Sequence, residues 1–250
     1  MFNLKKVIKS RKRLEIITKI LFKLFQLNLR YKEKRPDYGV EIFEYFYLPW
    51  KTDREFNNHY KVIHNFTLNP KSRLFTLYDL SKRHLKPNST YIEVGCWKGG
   101  ASALVALANQ NKKVDFILCD TFSGVKNSSD KDSFFVDGEY SDTSVDDIKE
   151  LELKINQEFR IVEGNFPSSM NNTNFDKPIS FAHVDVDTYI SARNSLDFII
   201  NNSTQGAVIV LDDYGGWFTD GITKLGNELK SDESLFVVPN HLGQLIIYKL

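Results

Sequence analysis

The sequence predicts an α/β protein built on a seven-stranded, mostly parallel sheet with helices on both faces. From residue 90 onward, short apolar segments with strand character alternate with helical segments, and three of the strand-like segments end on acidic residues. Strands that alternate with helices form a parallel sheet covered on both faces. The last two predicted strands are joined by a short turn and must be antiparallel to each other, so one strand of the sheet is reversed.

Each element is predicted from the spacing of apolar residues and from the turn residues that bound it. A helix over residues 72–84 is predicted to bury Leu74, Leu77, Tyr78 and Leu80 and to end before Pro87. Strands are predicted at 91–95, 114–120, 159–162, 179–186, 207–211, 235–238 and 245–248. Further helices are predicted at 101–109, 143–157, 188–201 and 219–230. The polar stretch 125–143 is predicted to be a long loop, and loops of this length in compact domains are often lids.

Length and composition fit one sizeable domain. The 250 residues are 42% hydrophobic and 26% charged, as is usual for a globular protein. The net charge of +1 gives no argument for nucleic-acid binding, so we expect no nucleic-acid partner. Two cysteines without a CxxC pair exclude a disulfide framework, and we therefore expect a reducing compartment, the cytoplasm.

Residues 1–70 are predicted to be a basic helical extension, and residues 71–250 the main domain. Residues 1–36 hold twelve Lys and Arg against two acidic residues, which leaves 21 basic and 30 acidic residues for the rest of the chain. Apolar residues between Leu14 and Leu29 recur at helical spacing, while the lysines among them exclude a membrane span and a signal peptide. Such a helix can contact an anionic membrane surface, or dock on the domain or on a second subunit of a homo-oligomer, and these alternatives stay open.

A glycine-rich turn and a following acid predict a cofactor that contains adenosine. Residues 93–100 read Glu-Val-Gly-Cys-Trp-Lys-Gly-Gly between a strand and a helix, where backbone amides can approach a ligand. The turn alone is equally consistent with tight packing, because it is not a GxGxxG motif. Asp120 ends the next strand, 25 residues after Gly95, at a place where an acid can accept both ribose hydroxyls.

Four aspartates follow two apolar strands that we expect to be neighbours. Asp185 and Asp187 follow one strand, and Asp212 and Asp213 follow the other. Clustered carboxylates raise one another's pKa, and a divalent cation removes that penalty. Oxygen ligands favour Mg²⁺ or Ca²⁺ over zinc, so we predict Asp185, Asp212 and Asp213 as metal ligands and Asp187 as a helix cap beside them. The alternative is that all of these acids pair with lysines or cap helices.

Four sequence blocks resemble the macrocin/mycinamicin sugar O-methyltransferase family. The blocks are Glu93-Val94-Gly95-Cys96-Trp97-Lys98-Gly99-Gly100, Asp120-Thr121-Phe122-Ser123-Gly124, Asp185-Val186-Asp187-Thr188-Tyr189 and Leu211-Asp212-Asp213-Tyr214-Gly215. They come in the family's order, and the resemblance covers roughly residues 75–230. It implies a Rossmann-like class I methyltransferase fold, with S-adenosylmethionine and Mg²⁺ as cofactors and a small-molecule or glycan hydroxyl as acceptor.

The resemblance also implies roles for individual residues. The implied cofactor-binding residues are Glu93, Gly95, Cys96, Trp97, Gly99, Ser102, Asp120, Thr121, Gly164, Asn165 and Phe166. Asp185, Asp212 and Asp213 match the metal-binding positions. Catechol O-methyltransferase has a lysine base shortly after its first metal-binding acid, but this chain has no lysine there. Asp185, Asp187 and His241, which lies in the last turn, are therefore the candidate proton acceptors.

The acceptor is not predicted by any motif. Family likeness favours a hydroxyl of a sugar or a glycosylated metabolite. Three alternatives stay open: a phenol, a polyketide or a lipid-linked glycan as acceptor. A non-catalytic nucleotide-binding or docking module is a further alternative, against which the cluster of acids argues. A nicotinamide dehydrogenase is another, against which the missing second glycine of GxGxxG argues. The acceptor pocket is expected to come from residues 37–70 and 125–143, and fold and cofactor do not determine its specificity.

Overall fold

A seven-stranded sheet forms the centre of the computed structural model, which describes residues 47–132, 134, 137–172, 176–216 and 218–250. The strands are β1 (Ser89–Val94), β2 (Val114–Asp120), β3 (Arg160–Glu163), β4 (Ile179–Val184), β5 (Ser203–Asp212), β6 (Leu235–Pro239) and β7 (Gln244–Lys249). Their order across the sheet is β3-β2-β1-β4-β5-β7-β6. Strands β1 to β5 are parallel, and β7 is antiparallel to both β5 and β6. The predicted sheet with one reversed strand is confirmed.

Helices cover both faces of the sheet. They are α1 (Pro49–Thr52), α2 (Arg54–Ile63), α3 (Lys71–His84), α4 (Gly100–Ala108), α5 (Val145–Ile155), α6 (Tyr189–Asn201) and α7 (Asp220–Leu229), with short 3-10 turns at His64–Phe66 and Ser168–Asn172. One core contains apolar residues of α2 to α5 and every second side chain of the strands, such as Tyr91. The other core contains α6 and α7 with the alternate strand residues, such as Ile92.

The segment before α3 packs with the sheet. Phe56 and Ile63 of α2 are fully buried in the first core, and the compact unit that contains the sheet spans Tyr47–Leu250. The basic helix predicted before residue 37 lies outside the described residues, and the predicted boundary at residue 70 stays a prediction. No helix in the part of the chain that the structure describes is long and apolar enough to cross a membrane.

Most strands differ from their predicted ends by one or more residues, and two of these differences have clear local reasons. Strand β5 begins at Ser203 rather than at residue 207, because its polar first residues already pair with Ile179 of β4. Strand β4 ends at Val184 rather than at residue 186, and the Asp185 amide then donates to the Val94 carbonyl at 2.9 Å. Asp185 and the residues after it are thereby directed over the edge of the sheet.

The predicted loop 125–143 contains no helix or strand among its described residues, and hydrogen bonds tie it to two neighbouring turns. Its Thr143 hydroxyl donates to the Trp97 carbonyl (2.6 Å), and its Lys126 carbonyl accepts from the Thr188 hydroxyl (2.9 Å). The loop also supplies the cap of α6, because Asp132 accepts from the Tyr189 amide at 2.9 Å. The cap predicted at Asp187 is therefore wrong, and a distant loop residue provides it.

The turns after β1 and β4 touch at Gly95. Gly95 has a φ of +83°, and a Cβ at this position would lie 1.9 Å from the backbone oxygen of Asp185. A positive φ and the absence of a side chain are both required here, and only glycine meets both.

We predict that Gly95→Ala lowers the free energy of unfolding by about 2 to 4 kcal/mol, because it combines a left-handed backbone with a clash against backbone atoms. Gly138→Ala is the matched control, since Gly138 also has a positive φ (+99°) but open space where a Cβ would lie. Urea denaturation of both variants measures the difference. Equal losses would show that the contact with Asp185 contributes nothing.

Candidate active site

A cavity of about 480 Å³ opens at the carboxyl ends of the parallel strands. Its walls are residues 93–97, 101, 119–121, 124–126, 140, 164–166, 185–188, 191, 195, 213 and 67–70 with Arg73. This volume is in the range of sites that hold a small molecule or cofactor. The position fits the rule that ligands of open α/β sheets bind beyond the carboxyl ends of the strands.

Asp120 organises one side of this cavity. Its carboxylate oxygens accept hydrogen bonds from the backbone amides of Trp97 (2.8 Å) and Phe122 (2.9 Å), and its carbonyl accepts from the Gly164 amide (2.8 Å). Burial raises the pKa of Asp120, while the hydrogen bonds from backbone amides oppose that rise. Each carboxylate oxygen retains acceptor capacity for a further donor. Asp120 thus fixes the glycine turn and is still able to accept a ligand hydroxyl.

Most of the predicted cofactor-binding residues line the cavity together. These are Glu93, Gly95, Cys96, Trp97, Asp120, Thr121, Gly164, Asn165 and Phe166. Gly99 and Ser102 do not line it. Gly99 precedes α4 with a φ of +80° and faces Leu118 and Ile148, while the buried Ser102 hydroxyl donates to the Glu93 carboxylate. These two residues support the turn from behind.

Two of the three predicted metal ligands, Asp185 and Asp212, lie close together at the ends of β4 and β5, and His183 is the third member of their group. One ligand atom each from Asp185, Asp212 and His183 lies within 4.8 Å of the others. Burial first, and then the charges of Asp212 and Asp213, raise the pKa of Asp185 well above its ordinary value. Burial and the charge of Asp213 raise the pKa of Asp187 to about 7. The cluster therefore carries a penalty of like charge that a cation relieves.

His183 was missed as a site residue because the sequence offers no metal spacing around it. Its Nδ1 bonds Glu93 at 2.8 Å and its Nε2 bonds Asp212 at 3.2 Å, and the ring is fully buried. Burial alone lowers the pKa of His183, but the hydrogen bonds with Asp212 and Glu93 raise it well above the ordinary value. A positive ring thus offsets two of the buried acids.

Asn69 and Arg73 were also missed. Asn69 donates from Nδ2 to Asp185 at 2.8 Å, and Arg73 forms an ion pair with Asp213 at 2.8 Å. These partners lie 116 and 140 residues apart in the sequence, and no local pattern relates them. The alternative that an acid pairs with a basic residue is thus realised at Asp213, by an arginine rather than a lysine.

The three candidate proton acceptors lie in different surroundings. Asp185 and Asp187 line the cavity. His241 is exposed in the turn between β6 and β7 and is not among the residues that line the cavity. The structure therefore brings the two aspartates to the cavity and leaves His241 outside it.

Comparison with solved structures shows the fold. The O-methyltransferase NovP has a TM-score of 0.61 and 17% identity, over 74% of this chain and 82% of that chain. The calicheamicin methyltransferase CalS11 has a TM-score of 0.59 and 16% identity, over 85% of this chain and 98% of that chain. An O-methyltransferase from Bacillus cereus in complex with S-adenosylhomocysteine has a TM-score of 0.53 and 13% identity, over 80% and 91%. No curated protein sequence matches the chain.

The sequence profile of one family matches residues 65–235, which include the glycine turn, Asp120 and all four clustered aspartates. The fold of the neighbours and the order of the four sequence blocks agree with this match. Because the match covers more than half of the chain, the protein belongs to the macrocin O-methyltransferase (TylF) family and is an S-adenosylmethionine-dependent O-methyltransferase.

Proposed function

We propose that the protein methylates a hydroxyl of a sugar or glycosylated metabolite in a Mg²⁺-dependent reaction. One observation carries the proposal: a single cavity is lined both by the glycine turn with Asp120 and by Asp185, Asp187 and Asp213. A cofactor held at the first group would place its reactive end beside the acids. Positioning of this kind supplies much of the rate of a transfer reaction.

The residues at the ends of β4 and β5 fit a divalent cation. Oδ1 of Asp212 is buried and has no hydrogen-bond partner, although Asp212 is not among the residues that line the cavity. A cation bound beside the cavity would satisfy this oxygen. The pKa of Asp185 and that of Asp213 are raised by burial and by the neighbouring acid Asp212. Carboxylate oxygens suit Mg²⁺, whereas both nitrogens of His183 already face carboxylates. Asp185 and Asp212 would hold the ion, with Asp213 as a third ligand whose charge Arg73 now shares.

The remaining chemistry belongs to residues of this chain. When bound by these residues, Mg²⁺ would supply Lewis-acid chemistry that lowers the pKa of the acceptor hydroxyl. Asp187 lines the cavity, and its pKa of about 7 suits a group that accepts a proton near neutral pH. The loop that contains Lys126 and Tyr140 lines the cavity, as do residues 67–70, and would shield the acceptor from water.

The class of acceptor is proposed from likeness. The family's name refers to macrocin, and the neighbour CalS11 is a calicheamicin methyltransferase. A phenol, a polyketide or a lipid-linked glycan is the second candidate class, and the basic residues before residue 37 favour an acceptor at a membrane surface. A cytoplasmic location and a homo-oligomer stay predictions.

The proposal is tested by calorimetric titration with S-adenosylhomocysteine, with and without Mg²⁺, followed by a methyl-transfer assay on sugar glycosides and phenols. We expect micromolar binding of S-adenosylhomocysteine and transfer that a chelator abolishes. Binding without any dependence of transfer on Mg²⁺ would contradict the metal assignment. Transfer to phenols alone would favour the second class of acceptor.

We predict that Asp212→Asn lowers Mg²⁺-dependent turnover by about a hundredfold or more, because a metal ligand contributes several kcal/mol to the reaction. The substitution retains the shape of the side chain and an oxygen that accepts from His183. Binding of S-adenosylhomocysteine in a chelator should change little, as calorimetry will show. Asp232→Asn, at an exposed aspartate in the turn before β6, is the control and should retain full turnover. Full turnover of Asp212→Asn would remove Asp212 from the site.

The contribution of Asp187 to the stability of the metal-free protein should fall as the pH rises from about 4 to about 7. The pKa of Asp187 is raised to about 7 in the folded protein, so the folded state retains a proton that the unfolded chain releases near pH 4. Asp187→Asn should reduce this slope by at most about 1.4 kcal/mol per pH unit. Urea denaturation in a chelator at several pH values measures the slope. An unchanged slope in Asp187→Asn would assign the titration to other acids.

A further inference from the structure

We propose that His183 is a positioning residue that couples the cofactor site to the metal site, so that each ligand strengthens the binding of the other. The inference rests on the proposed function, because it takes Glu93 as a cofactor-site residue and Asp212 as a metal ligand. It goes beyond that function because it assigns a thermodynamic link between the two sites to His183, which was predicted neither as a cofactor-binding residue nor as a metal ligand.

The three side chains form a row of hydrogen bonds, in which Asp212 lies two residues beyond Val210, the β5 partner of His183. Strands β1, β4 and β5 are neighbours, and Glu93 of β1 is in register with His183 of β4. His183 lies between Glu93 (2.8 Å from Nδ1) and Asp212 (3.2 Å from Nε2). All three residues are no more than 1% exposed. Since water does not compete at this depth, the imidazole ring fixes the distance between the two carboxylates.

The hydrogen bonding of the row is complete at one end and open at the other. The second oxygen of Glu93 accepts from the Ser102 hydroxyl, which ties the row to α4. The second oxygen of Asp212, Oδ1, is buried without a partner. A carboxylate on each side requires a donor at each ring nitrogen, so neither nitrogen is available as a metal ligand. The open oxygen at Asp212 is therefore the point at which a cation would engage the row.

A backbone contact runs parallel to this row. The Asp185 amide donates to the Val94 carbonyl at 2.9 Å, and the Asp185 carbonyl lies against Gly95 with no room for a side chain between them. A change in the turn after β1 thus displaces the turn after β4. The two sites are joined by a contiguous set of contacts that have little freedom to move independently.

Coupling between two binding sites is reciprocal. If Mg²⁺ raises the affinity for S-adenosylhomocysteine by some factor, then S-adenosylhomocysteine raises the affinity for Mg²⁺ by the same factor. We expect a factor of about 5 or more in the wild-type protein, the lower end of usual coupling. The mechanism predicts that the factor falls towards one when the ring can no longer bond both carboxylates.

Two substitutions each retain one half of the link. His183→Asn retains a donor near the position of Nδ1, towards Glu93, and loses the bond with Asp212. His183→Gln retains a donor near the position of Nε2, towards Asp212, and loses the bond with Glu93. His183→Asn should weaken Mg²⁺ binding by about tenfold or more while leaving S-adenosylhomocysteine binding in a chelator within about threefold of wild type. His183→Gln should show the reverse pattern, and both should lose the coupling.

Ser180→Ala is the matched control. Ser180 lies three residues before His183 on the same strand, is fully buried, and its hydroxyl bonds the Ser89 hydroxyl across the same pair of strands at 2.6 Å. Its removal breaks a buried contact between β1 and β4 without touching the cavity. We expect it to lower stability and to leave the coupling factor unchanged.

The experiment is calorimetric titration of wild type and the three variants with S-adenosylhomocysteine at saturating Mg²⁺ and in a chelator, and with Mg²⁺ with and without S-adenosylhomocysteine. A wild-type factor of one overturns the inference without any variant, so poor folding of a His183 variant does not protect it. Wild-type coupling in a folded His183 variant, or loss of coupling in Ser180→Ala, also overturns it. Absence of S-adenosylhomocysteine binding to wild type would instead refute the proposed function itself.

Discussion

Repulsion among carboxylates at the ends of β4 and β5 is the constraint on which the rest of the site depends. Burial and the neighbouring acids raise the pKa of Asp185, Asp187 and Asp213. Three neighbouring side chains offset this repulsion. Arg73 forms an ion pair with Asp213, Asn69 donates a hydrogen bond to Asp185, and His183 is hydrogen-bonded to Asp212. Asn69 and Arg73 come from around the start of α3 and His183 comes from β4, so two distant parts of the chain supply the groups that offset the cluster. The residual penalty is the free energy that a bound cation would recover.

The strand order explains why the predicted cofactor-binding residues and the clustered acids lie beside each other. The chain moves outward from β1 to β2 and β3, and then returns to place β4 on the other side of β1. Connections after the strands therefore diverge at the β1–β4 boundary, where open α/β sheets bind their ligands. Asp120 belongs to one half of the sheet and Asp212 to the other. Glu93 and His183 are paired across the boundary itself, so the contact between them is the shortest path from one half of the site to the other.

Site residues at the ends of strands were predicted from the sequence, whereas site residues brought in by the packing of distant segments were missed. The alternation of strands and helices was sufficient to predict the parallel sheet. The acids at the strand ends were sufficient to predict where the cavity lies, because parallel strands bring their carboxyl ends to one edge of the sheet. Asn69 and Arg73 were missed because they reach the site from a helix start far away in the sequence. The cap of α6 was likewise predicted at Asp187 but is Asp132, because Asp132 comes from a distant loop. His241 was selected for its chemistry alone, and the turn that carries it leaves the side chain exposed outside the cavity.

The difference between residues at strand ends and residues in distant segments also explains why the reaction is more predictable from the sequence than the acceptor. The predicted cofactor-binding residues and the clustered acids lie mostly at the ends of buried strands, where the sheet determines the positions of their side chains. The groups that we expect to contact the acceptor lie in the loop that contains Tyr140 and in residues 67–70 with Arg73. That second segment is fixed by packing, because Gly100 at the start of α4 leaves no space for a Cβ against the Phe66 carbonyl. Arg73 is then held where it contacts both Asp213 and the Leu242 carbonyl. We expect the acceptor to contact both segments, so their shape, and not the residues that carry the reaction, would determine which acceptor is used.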